Sequence, residues 1–357
     1  MLMQRLSLMI AMFAYFGAGD CSVNGQVESQ VGGQAKVQEV KQMRLGMIGL
    51  DTSHVPAFAK LINDPKGKGR LAEMQVVAAY PGGSEDLPSS RDRVAGFTKQ
   101  LDEMGIEIVD SIDTLLTKVD AVLLESVDGR KHLEQVLPVF RAGKPVFIDK
   151  PLSGNLADAL AIDLLAKKYK AKWFSSSSLR FSADTIRWRE DPELKGQVRG
   201  ASSWGPCSLD STHTDLYWYG VHGVETLYTA MGTGCQTVTR SHSEGTDFVV
   251  GQWADGRIGT FRGIRDGKAD YGLVVYGTKA VEVGGKYDGY APLVMRVLDF
   301  FAGGAAPVDP QETIEMFTFM EAADVSLARG GAPVTLESVK AAALAEAEKI
   351  VARLDLK

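Results

Sequence analysis

The chain has 357 residues, 45% of them apolar, with 39 Lys and Arg against 45 Asp and Glu for a formal net charge of −6. That exceeds a single typical domain and leaves apolar material for two cores. The charges are interspersed, with no basic block that would offer a footprint to nucleic acid or an anionic membrane, and three cysteines are too few for a disulfide-dense scaffold.

The chain starts with the short basic stretch Met1 to Arg5 and the apolar run Leu6 to Gly19, which is too short to span a bilayer comfortably. This is the grammar of a Sec-type signal peptide. Residues 1–20 are therefore read as a signal that sends the chain to the periplasm and leaves no stable membrane span in the mature protein. The alternatives are a cytoplasmic chain and a lipid anchor at Cys21, although Asp20 is not the small residue that normally precedes such a cysteine. Cys207 and Cys235 leave room for one bridge. Residues 21–42, polar and rich in Gln and Gly, read as a linker.

From Met43 short apolar runs alternate with helical stretches. The expected order is strand Arg44 to Gly49, helix His54 to Asn63, strand Met74 to Ala79, helix Ser90 to Met104 and strand Ile106 to Val109. A short helix capped by Ser111, strand Ala121 to Leu124, helix Arg130 to Ala142 and strand Val146 to Ile148 come next. Asn155 is placed to cap a helix from Leu156 to Lys170, after which Trp173 and Phe174 open one more strand. Unbroken Val/Ile/Leu strands joined by helical crossovers specify a doubly wound, Rossmann-like parallel sheet over 43–170. Beyond about Arg199 the period changes to alternating runs broken by Asp-Gly, Gly-Thr and Gly-Gly turns. Residues 171–357 are accordingly expected to form an α+β domain with a large, open, mostly antiparallel sheet, closed by helices at Ile314 to Arg329 and Leu336 to Arg353. The overall class is α/β.

The first strand-to-helix turn reads Gly46-Met-Ile-Gly49-Leu-Asp51-Thr52-Ser53-His54. A dinucleotide fold places Gly-x-Gly-x-x-Gly here so that the backbone approaches a pyrophosphate at a helix N-terminus. Only Gly49 survives; Asp51 and His54 stand at the second and third glycine positions. Two readings stay open, helix capping by Asp51, Thr52 or Ser53 and a polar site at the carboxyl edge of the sheet. The second strand ends Tyr80-Pro81-Gly82-Gly83-Ser84 without an acid for the ribose hydroxyls, and Arg91 and Arg93 beyond it are either acceptors of a 2′-phosphate or plain surface arginines, which leaves NAD or NADP undecided. At Asp149-Lys150-Pro151 a strand delivers a lysine to its carboxyl end, and the proline holds that lysine extended. Partial burial there lowers an amine's pKa and fits it for proton transfer. No tight ligand spacing joins His54, His213, Asp215 and His222, so no metal is expected.

Asp149-Lys150-Pro151 resembles the Glu-Lys-Pro signature of the glucose-fructose oxidoreductase and inositol dehydrogenase family, Gfo/Idh/MocA. The resemblance extends to Val119-Asp120-Ala121-Val122, a cofactor loop at Glu125-Ser126-Val127-Asp128, His132 opening the next helix, Gly143-Lys144-Pro145 and Leu179-Arg180-Phe181. Tyr219 to Glu225 is similar to the family's His-x-x-Asp helix, with Glu225 in place of Asp, and the likeness covers residues 43 to about 340. It implies an NAD(P)-dependent oxidoreductase acting on a hydroxyl of a sugar, polyol or glycoside, with Lys150 and His222 catalytic. Gly49, Asp51, Thr52, Ser53, His54, Ser126, Asp128, His132 and Asp149 would bind the cofactor. Arg180, His213, Asp215 and Tyr219 would face the carbohydrate. The family often has an Asp four residues before the histidine; Trp218 stands there. A homo-oligomer built through the second sheet is implied as well. The alternative is an exported member that binds a saccharide, or acts on one by acid-base chemistry of the lyase or hydrolase type, without ordinary redox turnover.

Overall fold

The computed structural model describes residues 42–194 and 196–355. The expected signal segment, Cys21 and the linker up to residue 41 lie outside the described residues. Six strands form the first sheet: β1 (Met43–Ile48), β2 (Met74–Tyr80), β3 (Glu107–Ile108), β4 (Ala121–Leu124), β5 (Val146–Ile148) and β6 (Trp173–Ser175). All pair in parallel in the order β3-β2-β1-β4-β5-β6, the doubly wound order whose direction reverses between β1 and β4. β4 and β5 are buried at every position, as their uninterrupted aliphatic and aromatic sequences require. Ser111 and Asn155 cap the helices Ile112–Lys118 and Leu156–Tyr169 as expected, accepting from the backbone N–H of Thr114 and Asp158. The sixth strand carries the sheet to Ser175, five residues past the boundary expected at 170.

The second sheet has seven strands: β7 (Val198–Pro206), β8 (Cys235–Ser243), β9 (Thr246–Trp253), β10 (Ile258–Ile264), β11 (Gly272–Gly277), β12 (Val281–Gly284) and β13 (Val334–Thr335). Their order is β12-β11-β7-β10-β9-β8-β13, and every pairing is antiparallel except β10 with β7. The helix Gly220–Met231, buried along its whole length, lies on β7 and β10. Gly223 permits that approach, since a Cβ there would stand 2.2 Å from the Phe261 ring.

Helices from the second half also cover the first sheet. Leu336–Asp355 packs along Leu156–Tyr169, and Ala291–Phe301 packs on the helix His54–Ile62. The described residues accordingly form one compact unit. Cys207 and Cys235 are buried free thiols, so the single bridge that the sequence permits is not made. Among the described residues no helix is long and apolar enough to cross a membrane.

Arg240, whose side chain has no exposure, joins β8 to its surroundings. It donates to Asp247 on β9, to Asp215 before the Gly220 helix and to Asp324 on the helix Pro310–Ala328. Removing one partner of a buried ion pair leaves the other charges uncompensated, at a cost of about 3–5 kcal/mol. Arg240→Met should therefore lower unfolding free energy by roughly that amount in urea titration. A loss under about 1 kcal/mol would show that the carboxylates are solvated or protonated instead.

Candidate active site

Open α/β sheets bind ligands beyond the carboxyl ends of the strands, at the point where strand order reverses. In this chain the loops after β1 and β4 meet there, and Asp51 ties them together. Its fully buried carboxylate accepts the backbone N–H of Val127 at 2.8 Å and the Ser90 hydroxyl at 2.6 Å. Burial raises this carboxyl above the usual range, against the lowering by Ser90, Val127 and Arg93. Asp51 thus does not cap the His54 helix, whose N-cap is Ser53 without a side-chain bond. Gly49 has a φ of 85°, and a Cβ there would meet Ser126 Oγ at 2.0 Å. The amides of Gly49 and Leu50 donate to the carbonyls of Tyr80 and Pro81 at 3.0 and 2.7 Å. The chain leaving β2 therefore closes the first half of the turn, and only Thr52, Ser53 and His54 face open space.

That space is a cavity of about 410 Å³, which Asp51 does not line. Lys150 enters it from the end of β5 and His222 from the Gly220 helix, so the two residues expected to be catalytic share one wall-to-wall space. Lys150 Nζ lies 5.5 Å from the centroid of the Tyr219 ring. Burial lowers its pKa below the usual amine range, with Asp149 acting the other way. The His222 Nδ1 is 2.7 Å from Ser177 Oγ, and the ring meets Tyr219 and Tyr271 edge-on. Burial, then the nearby Lys150 charge, keep His222 well below 6.5, so it is neutral near pH 7.

Glu225 does not act on His222 directly. Its carboxylate receives Ser176 Oγ, the Ser177 N–H and Arg180 Nε at 2.6, 2.7 and 2.6 Å, and so fixes the loop that presents Ser177. Arg180 also donates to Glu312 at 2.8 Å and is 1% exposed.

Several residues expected at the ligand lie elsewhere because buried partners hold them. Arg180 is held by two carboxylates, and Asp215 by Arg240. His213 accepts the Gly129 N–H through Nε2 at 3.1 Å, while its Nδ1 faces the Thr212 hydroxyl. Asp128 receives Ser84 Oγ and Arg130; burial pushes its carboxyl up, but those bonds prevail and hold it below the usual range. Ser126 Oγ donates to Gln135, and both ring nitrogens of His132 face carbonyl oxygens, of Ser126 and Leu152. Asp149 bonds His54 Nδ1 at 2.5 Å and the Lys150 N–H at 2.8 Å. Of the residues expected at the site, Thr52, Ser53, His54, Lys150, Tyr219 and His222 line the cavity.

Sequence reasoning missed Ser89 and the tyrosines Tyr271, Tyr287 and Tyr290, gave Ser177 no part in the site, and weighed Arg93 only as a partner for a 2′-phosphate. Aromatic residues crowded around glycine in Lys286-Tyr287-Asp288-Gly289-Tyr290 were the available signal for two of them.

The turn bears directly on a nicotinamide dinucleotide. The amides of Gly49 and Leu50 are engaged, but the first turn at Thr52–Ser53 opens on the cavity beside Arg93 and Lys150. A helix N-terminus flanked by two cationic side chains fits a diphosphate in charge and donor type. β2, ending in Tyr80, supplies no acid for an adenosine ribose.

Residues 43–176 match the family model GFO_IDH_MocA, described as an oxidoreductase family with an NAD-binding Rossmann fold. Among solved structures, scyllo-inositol dehydrogenase from Lactobacillus casei, with NAD(H) and scyllo-inositol bound, is similar with a TM-score of 0.67 at 14% identity, over 83% of this chain and 100% of that one. The myo-inositol 2-dehydrogenase from Lactobacillus plantarum gives 0.65 at 17% identity, over 83% and 99%. At these identities the likeness is one of fold. A comparison with curated proteins finds no match.

Asp51→Ala would leave the Val127 N–H and the Ser90 hydroxyl without their acceptor. The expected loss is about 1–3 kcal/mol of unfolding free energy, measured by urea denaturation. Unchanged stability would show that Asp51 does not brace the two loops.

Proposed function

We propose that this chain, whose residues 43–176 match the NAD-binding Rossmann model of the Gfo/Idh/MocA oxidoreductases, is a member of that family and oxidises, or in reverse reduces, a secondary hydroxyl of a sugar, polyol or glycoside. One observation carries this reading. Lys150, at the end of a strand of the first sheet, and His222, on the helix that lies on the second, face one cavity, where burial lowers the amine from its usual range and keeps the imidazole neutral and able to accept a proton.

Bound nicotinamide would supply the hydride acceptor; Thr52, Ser53 and Arg93 would hold its diphosphate. The substrate hydroxyl is received between Lys150 and His222. With Nδ1–H donating to Ser177 Oγ, His222 presents the Nε2 lone pair to the hydroxyl proton, and Lys150 orients the oxygen and offsets the charge that develops on it. Tyr219, Tyr271 and Tyr290 give the remaining wall aromatic faces and hydroxyls suited to a polyol ring. The cavity's polar groups thus match a small neutral carbohydrate. Export, suggested by the first 20 residues, and pairing of subunits through the second sheet belong to the same proposal. The exposed side chains of Ile258, Tyr276, Val281 and Val283 support the pairing.

A second reading, acid-base chemistry on a saccharide without redox turnover, is favoured by the engaged amides of Gly49 and Leu50. Calorimetric titration with NAD and with NADP separates the two. Binding of either with micromolar affinity supports the dehydrogenase, and no heat up to millimolar nucleotide supports the second reading.

Lys150→Met keeps the aliphatic stem and removes the amine. Turnover on the true substrate should fall by roughly two to four orders of magnitude with thermal stability kept. His222→Asn should also lose turnover and should remove the acid limb of the pH profile, which in the parent lies below 6.5 because the pKa of His222 is lowered. A Lys150→Met protein with near-parental turnover would refute the assignment.

A further inference from the structure

Beneath the cavity lie three ligand-type side chains to which the proposed hydroxyl chemistry gives no part. His54 comes from the first turn after β1, Glu125 follows β4 and Asp149 follows β5, so all three stand at the carboxyl edge of neighbouring strands. One ligand atom from each lies within 4.8 Å of the others. His54 Nδ1 is 2.5 Å from Asp149 Oδ2 and 4.0 Å from Glu125 Oε2. All three residues are buried, and Glu125 has no exposure at all.

Glu125 is the anomaly. Among the described residues neither of its buried carboxylate oxygens has a hydrogen-bond partner, and it lies beside a second buried carboxylate. An unpaired carboxylate out of water costs several kcal/mol in general and is retained where it is paired or binds a cation. The neighbouring bonds account for Asp149 and His54 but leave Glu125 unexplained.

We propose that His54, Glu125 and Asp149 bind one divalent transition-metal ion of the zinc or manganese type, with a fourth position open to the cavity. One imidazole and two carboxylates are an N,O set suited to these ions and nearly neutral with one bound. Bond lengths of about 2.0–2.2 Å in a tetrahedron separate ligand atoms by roughly 3.3–3.6 Å. The observed 2.5 and 4.0 Å bracket that value, so binding needs only a parting of His54 from Asp149 and an approach of Glu125. His54 alone of the three lines the cavity, so the open position faces the place where a substrate oxygen or a water would sit. His54 stands at the third glycine position of a dinucleotide turn, and the substitution that weakens that motif is the one that completes the ligand set. The inference goes beyond the redox reading and does not rest on it.

The test is metal binding itself. The mature chain, stripped with chelator and dialysed, is titrated calorimetrically with zinc chloride and separately with manganese chloride, and its content is then measured by plasma mass spectrometry. One equivalent of either ion per chain is expected, with micromolar or tighter affinity and a rise in the melting temperature. Glu125→Gln keeps the shape of the side chain and should weaken binding by about 100-fold or more, and His54→Gln should do the same from the cavity side; circular dichroism confirms that each variant is folded. Less than a tenth of an equivalent in the parent, or undiminished uptake in both folded variants, overturns the site. Metal binding without nucleotide binding would leave this site standing and remove the dehydrogenase; nucleotide binding without metal would do the reverse.

Discussion

An arginine with no route to water sets the distance across the cavity. Arg180, in the turn after β6, donates to Glu225 on the helix that carries His222 and to Glu312 on the helix Pro310–Ala328. β6 is the last strand of the first sheet, and Lys150 follows its neighbour β5. One buried guanidinium therefore ties the edge that carries Lys150 to the helix that carries His222. The two carboxylates offset its desolvation, and in their absence an unpaired cation would remain in the interior. This accounts for Glu where the family pattern has Asp at position 225. The longer side chain reaches Ser176, the Ser177 N–H and Arg180 together, and Ser177 in turn holds the Nδ1 of His222.

The β1 turn illustrates the consequence of replacing glycine in a phosphate-binding geometry. A glycine at position 51 would leave the backbone open to an approaching anion. The Asp51 carboxylate instead reaches across the reversal point of the sheet to Val127 and stiffens the wall of the cavity. The chain after β2 closes over Gly49 and Leu50 from the other side. Space and positive charge then remain only at Thr52, Ser53, Arg93 and Lys150, and the anion-accepting part of the turn moves toward the end where the chemistry is placed.

The architecture was largely readable from the sequence because its signals are local. Runs such as Ala121-Val-Leu-Leu and caps such as Asn155 need no tertiary context, and all six strands of the first sheet lie within a few residues of their expected places. β7 escaped because Val-Arg-Gly-Ala-Ser-Ser-Trp-Gly-Pro has small residues where alternation is sought; those small residues let Ser203 reach the carbonyl of Gly223 and let the Gly220 helix lie close. Lys150 and His222, singled out by their motifs, both line the cavity. Arg180, His213 and Asp215 carry the same chemistry, but their partners, Glu312, Gly129 and Arg240, are distant in sequence. No local pattern distinguishes a charge facing substrate from one captured by a partner 132 residues away.

The same limit applies to Glu125. In sequence it is one polar residue between a buried strand and a serine, with nothing to mark it. In the fold it is a fully buried carboxylate with no donor among the described residues, next to Asp149, which already holds His54. Two carboxylates at such close quarters do not both stay ionised in a low-dielectric site without a positive partner. The Lys150 charge acts favourably on both, but its ammonium lies over the Tyr219 ring in the cavity. A compact divalent charge between the three ligand atoms resolves the imbalance in one step, and it would place a Lewis acid within reach of the hydroxyl held by Lys150 and His222. The groups that bind, orient and deprotonate a substrate would then all converge on the reversal point of the first sheet.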